Sequence, residues 1–167
     1  MTIKTWQLFL ILFIFIVIIV GLVVFLTRFK FKKAEDLSKQ MGFSFFTQKN
    51  IPAEYAAVSK HLLYFWGFEF LSVGEVSGTR VYFTQYLQKR PSQLPYVYAI
   101  FSLFEKPRVF ASDEERKTLQ ARINTTMPDA LLTENGVFYY HPIPWVLTKE
   151  KILEISKGIA SSLQSLK

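Results

Sequence analysis

Between Leu8 and Leu26 the chain reads LFLILFIFIVIIVGLVVFL, nineteen residues without a charge. As a helix rising 1.5 Å per residue, this run spans about 28 Å, close to the roughly 30 Å hydrocarbon core of a bilayer. A secretory signal core is shorter, about 7 to 15 residues, and ends at a small-residue cleavage site. Here the run ends in Phe25-Leu26-Thr27-Arg28, with no such pattern and no Cys to take a lipid. Core helices of soluble proteins rarely show nineteen apolar residues on every face. The run is therefore expected to stay as a membrane anchor.

Its flanks set the expected orientation. Lys4 is the only charged residue before the run, whereas Arg28, Lys30, Lys32 and Lys33 crowd its far end. The positive-inside bias then keeps the basic end, and everything after it, in the cytoplasm of a cell (inner) membrane, with the N-terminus outside. Trp6 falls where an outer interfacial aromatic belongs, and Phe29 and Phe31 fall at the inner interface. The same bases attract anionic lipid, each by on the order of 1 kcal/mol near the surface. The expected organisation is a short outer tail (1–7), a span (8–26), a basic helical linker (27–41) and a cytoplasmic domain (42–167).

Net charge is +7, which by itself points toward nucleic acid. Residues 1–33 hold five basic side chains and no acid, so the fifteen basic and thirteen acidic residues beyond them leave only +2. The longest basic run there is Lys89-Arg90, and a nucleic-acid footprint needs a basic stripe. No nucleic-acid partner is expected. Zero cysteines exclude disulfides, Cys-ligated zinc and thiol chemistry, and the seven scattered glycines form no phosphate loop. No cofactor is expected either.

Past the anchor, Ala34, Leu37 and Met41 continue a helical spacing, with Gly42 placed as its C-cap. GFSFF predicts a short strand, and NIPAEYAAVSKHLL a helix with Pro52 in its first turn. FEFLSVGEVSGTRVYFTQYLQ alternates with period two, predicting a hairpin whose reversal is bracketed by Gly74 and Gly78 as turn or bulge positions. YVYAIFSLFE, apolar on both faces, predicts a central strand, and RVF a further short one. Ser112 and Glu115 form a capping box ahead of the stripe Leu119, Ile123, Met127. ALLTENGVFYY predicts a hairpin turning on Asn135-Gly136. From Thr148, an N-cap, Ile152, Ile155, Ile159, Leu163 and Leu166 mark one face of a closing helix. The expected fold is α+β: one N-terminal transmembrane helix, then a small antiparallel sheet packed with about three helices.

The segments LSKQMGFSFF, SVGEVSGTRVYFTQYLQ and LLTENGVFYYHP together resemble a loosely defined group of uncharacterised bacterial proteins. Those proteins carry one or two membrane spans and a small cytoplasmic α+β domain. Their central strand reads FDY-x-Y where this chain has YFTQY, without the Asp. The resemblance implies bacterial origin and fold, and no activity. A pilin-like reading fails, because MTIKTWQLFL lacks a processing junction and the apolar helix lacks a Glu.

Candidate chemistry is sparse. His61 and His141 are the only histidines, with no partners at metal-ligand spacing and no hydrolase motif. His61 reads as a surface or cap residue. Asp113, Glu114 and Glu115 are explained by the start of a helix. YFWGFEF is the densest aromatic stretch; Tyr64, Trp66 and Phe68 form a candidate interaction surface, with strand packing as the competing explanation. The span holds one glycine, Gly21, and no Ala or Ser, so a tight helix dimer is not expected. Self-association is expected instead through an exposed strand edge or the aromatic stretch. The leading expectation is a non-catalytic protein-interaction module held at the cytoplasmic face. The alternative is a membrane-tethered enzyme with a site around His141, Tyr139 and nearby carboxylates.

Overall fold

Helix α1 runs unbroken over Thr5–Gln40, because nothing in it is Pro and its first glycine after Gly21 is Gly42. The computed structural model describes residues 5–55, 58, 65–88, 96–141 and 147–166. They fall into two units, Met1–Asp36 and Leu37–Lys167. In the first, every Trp, Phe, Leu, Ile and Val side chain from Trp6 to Leu26 is 45–68% exposed. By length and composition this stretch is able to cross a membrane.

The second unit begins at the end of α1. Gly42 takes φ +74°, its N–H donates to Lys39 O at 3.0 Å, and the Phe43 N–H donates to Ser38 O at 2.9 Å. These are the two bonds of a Schellman motif, which needs a left-handed residue at this position. The motif turns Phe43 inward, where it is buried.

A six-stranded antiparallel sheet follows, in the order β1-β2-β3-β4-β6-β5. Its strands are β1 (Ser44–Thr47), β2 (Phe65–Val76), β3 (Thr79–Gln88), β4 (Tyr96–Leu103), β5 (Ala130–Thr133) and β6 (Gly136–His141). Two further helices are described, α2 (Asp113–Thr126) and α3 (Lys149–Gln164). The chain is thus α+β, as expected, with three α-helices among the described residues.

Strand alternation divides the core. On one face Leu71, Val73, Tyr82, Ala99, Phe101 and Phe138 form a buried cluster with Val58, flanked by Ile51 and Tyr55. Tyr82, Phe101 and Phe138 stack across three neighbouring strands at 5.1 and 5.0 Å. On the other face Phe70, Phe83, Ile100, Leu132 and Val137 are buried. No residue of α2 or α3 joins the first cluster; both helices lie on the second face. Leu119 and Ile123 are buried from α2, and Ile152, Ile155, Ile159 and Leu163 from α3. Burying each such side chain is worth about 1.5–3 kcal/mol.

The caps are where the sequence puts them. Ser112 Oγ accepts from Glu115 N at 3.1 Å, and Glu115 Oε2 accepts from Ala111 N at 2.6 Å. Thr148 Oγ1 accepts from Lys151 N at 3.3 Å.

Four local expectations need correction. The β2–β3 hairpin reverses on Ser77 and Gly78, both at positive φ (51° and 72°), the sign pattern of a type I′ turn. Gly74 is not part of that turn; it lies within β2, where a Cβ would run into the Phe43 ring. The β5–β6 turn is Glu134-Asn135, one residue earlier than Asn135-Gly136. Thr133 Oγ1 accepts from Asn135 N and Gly136 N, both at 3.2 Å, so the hydroxyl organises the turn without a left-handed residue. Gly136 is needed for a different reason: a Cβ there would strike Ser102 O and lie 2.9 Å from Leu103 Cα. The RVF segment forms no strand, since the Arg108 N–H is taken by Glu134 O at 2.7 Å. The helix expected over residues 50–63 begins instead as 3-10 turns at Gln48–Asn50 and Ala53–Tyr55. Of its remainder only Val58 is described, and that residue is α-helical as expected.

Candidate functional site

At the Ser77-Gly78 end of the sheet an open groove of about 840 Å³ is built wholly within the second unit. Its floor follows from strand register. Glu75 pairs with Arg80, and Leu103 pairs with Gly136, on the same face as Tyr82 and Phe101. Glu54 and Val58, residues of the connection after β4 (Phe104, Glu105, Pro107, Arg108) and the end of α3 (Leu163, Gln164, Leu166) complete the lining. The Gln164 side chain ties that end to Ser77 O at 3.2 Å.

The groove's charges are mixed. Arg108 is already committed: Nη1 donates to Leu166 O at 3.0 Å and Nη2 lies 3.8 Å from Glu115 Oε1. Arg80 is exposed, with its Cζ 6.0 Å from the centre of the Tyr55 ring, and has no ion pair among the described residues. The Tyr55 ring in turn meets Phe46 at 5.6 Å and Tyr82 edge-on at 6.4 Å. Desolvation raises the Tyr55 phenol above its ordinary value; a hydrogen bond to Glu54 acts in the same sense and Arg80 opposes it. Ser102 is not a free nucleophile, because its hydroxyl donates to Arg80 O at 2.5 Å. The described lining holds carboxylates, guanidinium groups, aromatic and apolar side chains, and no His, Cys or Lys. Such an arrangement can make ion pairs and stacking contacts with a polar ligand.

The residues singled out from sequence are dispersed. Trp6, Arg28, Lys32 and Lys33 are exposed along α1, and Lys30 belongs to the same helix. Tyr64 and His61 lie outside the described residues. Trp66 and Phe68 belong to the irregular start of β2, where register shifts fall between Phe65 and Phe68 and between Phe68 and Phe70; their side chains are outside the description. Tyr139 and His141 share a strand face, opposite Ile100 and Tyr98. His141 ends β6 at its far end from the groove, roughly 17 Å from Gly136 at a strand rise of about 3.4 Å. Burial raises the neighbouring Tyr140 phenol to about 12. Among the described residues no three His, Cys, Asp or Glu are grouped to hold a metal.

Sequence reasoning passed over Arg80 and Glu75, though the signal was present: once the turn is set at Ser77-Gly78, alternation puts them directly opposite one another. Arg108 and Glu105 gave no such signal, because the connection that carries them has no period. No family model matches the chain, and comparison with curated proteins and with solved structures finds no match.

Proposed function

We propose that this chain is a single-pass protein of the cell membrane, the inner membrane of a bacterial cell. Its α+β unit acts at the cytoplasmic face as a non-catalytic module that docks a protein partner. The observation that carries the anchor is α1: an apolar stretch exposed on all sides, followed within one helix by Arg28, Lys30, Lys32 and Lys33. The positive-inside bias puts that end in the cytoplasm, where the bases also meet anionic lipid. For the docking role, support comes from the half-open, mixed-charge groove around Arg80. The alternative, a membrane-tethered enzyme near His141, has less support, since the groove lies at the other end of β6 and includes no His.

Two measurements test the reading. A phosphatase fused after Lys167 is expected to be inactive and a cytoplasmic reporter active; the reverse pattern overturns the orientation. Neutralising Arg28, Lys30, Lys32 and Lys33 together is expected to give mixed orientation, because Lys4 alone competes weakly. For docking, a photo-crosslinker at Arg80 or Glu105 is expected to trap one discrete protein band in cells, while the same group at Lys157 traps none. Equal labelling from all three positions overturns the groove as the docking surface.

A further inference from the structure

The sheet ends on β5, and an edge strand normally leaves a row of N–H and C=O groups open to another chain. Here most of that row is occupied: three of the four outward groups of Ala130 and Leu132 have partners. The Thr133–Gly136 and Leu131–Phe138 pairs face inward along the hairpin, so Ala130 and Leu132 turn their backbone groups outward. The outward carbonyl of Ala130 accepts from Gln120 Nε2 at 2.7 Å, and the outward N–H of Leu132 donates to Gln120 Oε1 at 2.7 Å. One side-chain amide thus engages the two groups on either side of Leu131 that a neighbouring strand would use. The second Nε2 hydrogen goes to Asn124 Oδ1, one helical turn on, at 2.7 Å, which fixes which way the amide points. The Ala130 N–H is also taken, by Met127 O at 3.1 Å.

We propose that Gln120 is a strand mimic that closes the β5 edge against the same edge of a second copy of this chain. The occupant kept out is argued from β5 itself. Ala130-Leu131-Leu132 is apolar, and Leu131 is 44% exposed beside the clamp. An antiparallel pairing about Leu131 would be self-complementary, as a two-fold contact between identical edges requires. Gln120 is otherwise an unremarkable position of α2, half-buried and one residue beyond the buried Leu119. Any strand-mediated association of the native chain is therefore directed away from β5.

The test uses the full chain in detergent, with Gln120→Ala as the first variant and Gln120→Glu, which cannot donate to Ala130 O, as the second. Leu132 amide exchange is expected to rise on the order of tenfold in Gln120→Ala, the loss of about one hydrogen bond. The chain has no cysteine, so Leu131→Cys adds a single reporter thiol. In the Gln120→Ala background it is expected to form a disulfide-linked dimer under mild oxidation, and in the native background to stay monomeric. Adding Leu131→Lys to Gln120→Ala is expected to abolish the association without restoring the exchange protection. Should Gln120→Ala lose its fold, Gln120→Glu carries the crosslinking comparison, while its carboxylate still accepts from Leu132 N and keeps that amide protected. Equal crosslinking with and without the Gln120 substitution overturns the proposal, as does unchanged exchange at Leu132 in Gln120→Ala.

Discussion

α1 and α3 are both rich in Ile and Leu, yet they handle that apolar surface in opposite ways. In α3 the stripe Ile152, Ile155, Ile159, Leu163 is buried, while Lys151, Glu154 and Lys157 are exposed on the other side. In α1 the apolar residues from Trp6 to Leu26 surround the helix, and not one of them is buried. A stripe can be satisfied by a sheet; a full cylinder has the length and composition to cross a bilayer. The amino-acid types matter less than how they are arranged around the helix axis.

That contrast can be broken first in α3. Ile159→Asp puts an unpaired carboxylate where the side chain is fully buried. It is expected to cost on the order of 4 kcal/mol or more, seen as loss of the cooperative thermal transition. The paired change in the apolar stretch of α1, Val17→Asp, is expected to leave that transition where it is. Its penalty falls on membrane insertion instead, about 3 kcal/mol, measured as the fraction of chains recovered in the membrane. Equal loss of the thermal transition in both variants would erase the distinction between the two helices.

A pH scan sharpens the comparison, because the second unit contains a partly buried titratable group with a raised value, and the apolar stretch of α1 contains none. Tyr140 has its folded value raised to about 12 by burial, against 10.0 for the free group. The protonated phenol is favoured by folding, so this contribution is complete below pH 10 and is lost as pH rises toward 12. Stability is expected to fall there by about 1.4 kcal/mol per pH unit, and Tyr140→Phe to remove that share of the slope. Smallest in effect are the helix ends. Thr148→Ala removes the α3 cap and is expected to cost about 1 kcal/mol in denaturant titration. Gly42→Ala strains the left-handed residue that ends α1, by a similar ~1 kcal/mol.

The features visible in the sequence share a physical scale of one or two helical turns. Ser112 and Thr148 cap because a hydroxyl three residues before an amide reaches it in any helix start. The stripes in α2 and α3, the β2–β3 alternation and the left-handed Gly42 are local in the same way. Where the reading slipped, a distant residue intervened. Gly74 looked like a turn residue and instead makes room for the Phe43 ring, thirty-one positions earlier. Asn135-Gly136 looked like the hairpin turn; the Thr133 hydroxyl moved the reversal back by one, and Gly136 answers to the Ser102 carbonyl on β4. RVF had the composition of a strand but found its partner in the Glu134 carbonyl.

By itself, then, the sequence determined the apolar helix, the α+β class and most element boundaries, because periodicity and capping depend on neighbours along the chain. Tertiary structure alone decided the strand order β1-β2-β3-β4-β6-β5, and with it the groove that gathers Glu54, Arg80 and Arg108. It also set the Gln120 amide against β5, ten and twelve residues away. Such contacts are made between elements that have no periodic relation to one another. They exist only after a sheet face has chosen which helix will cover it.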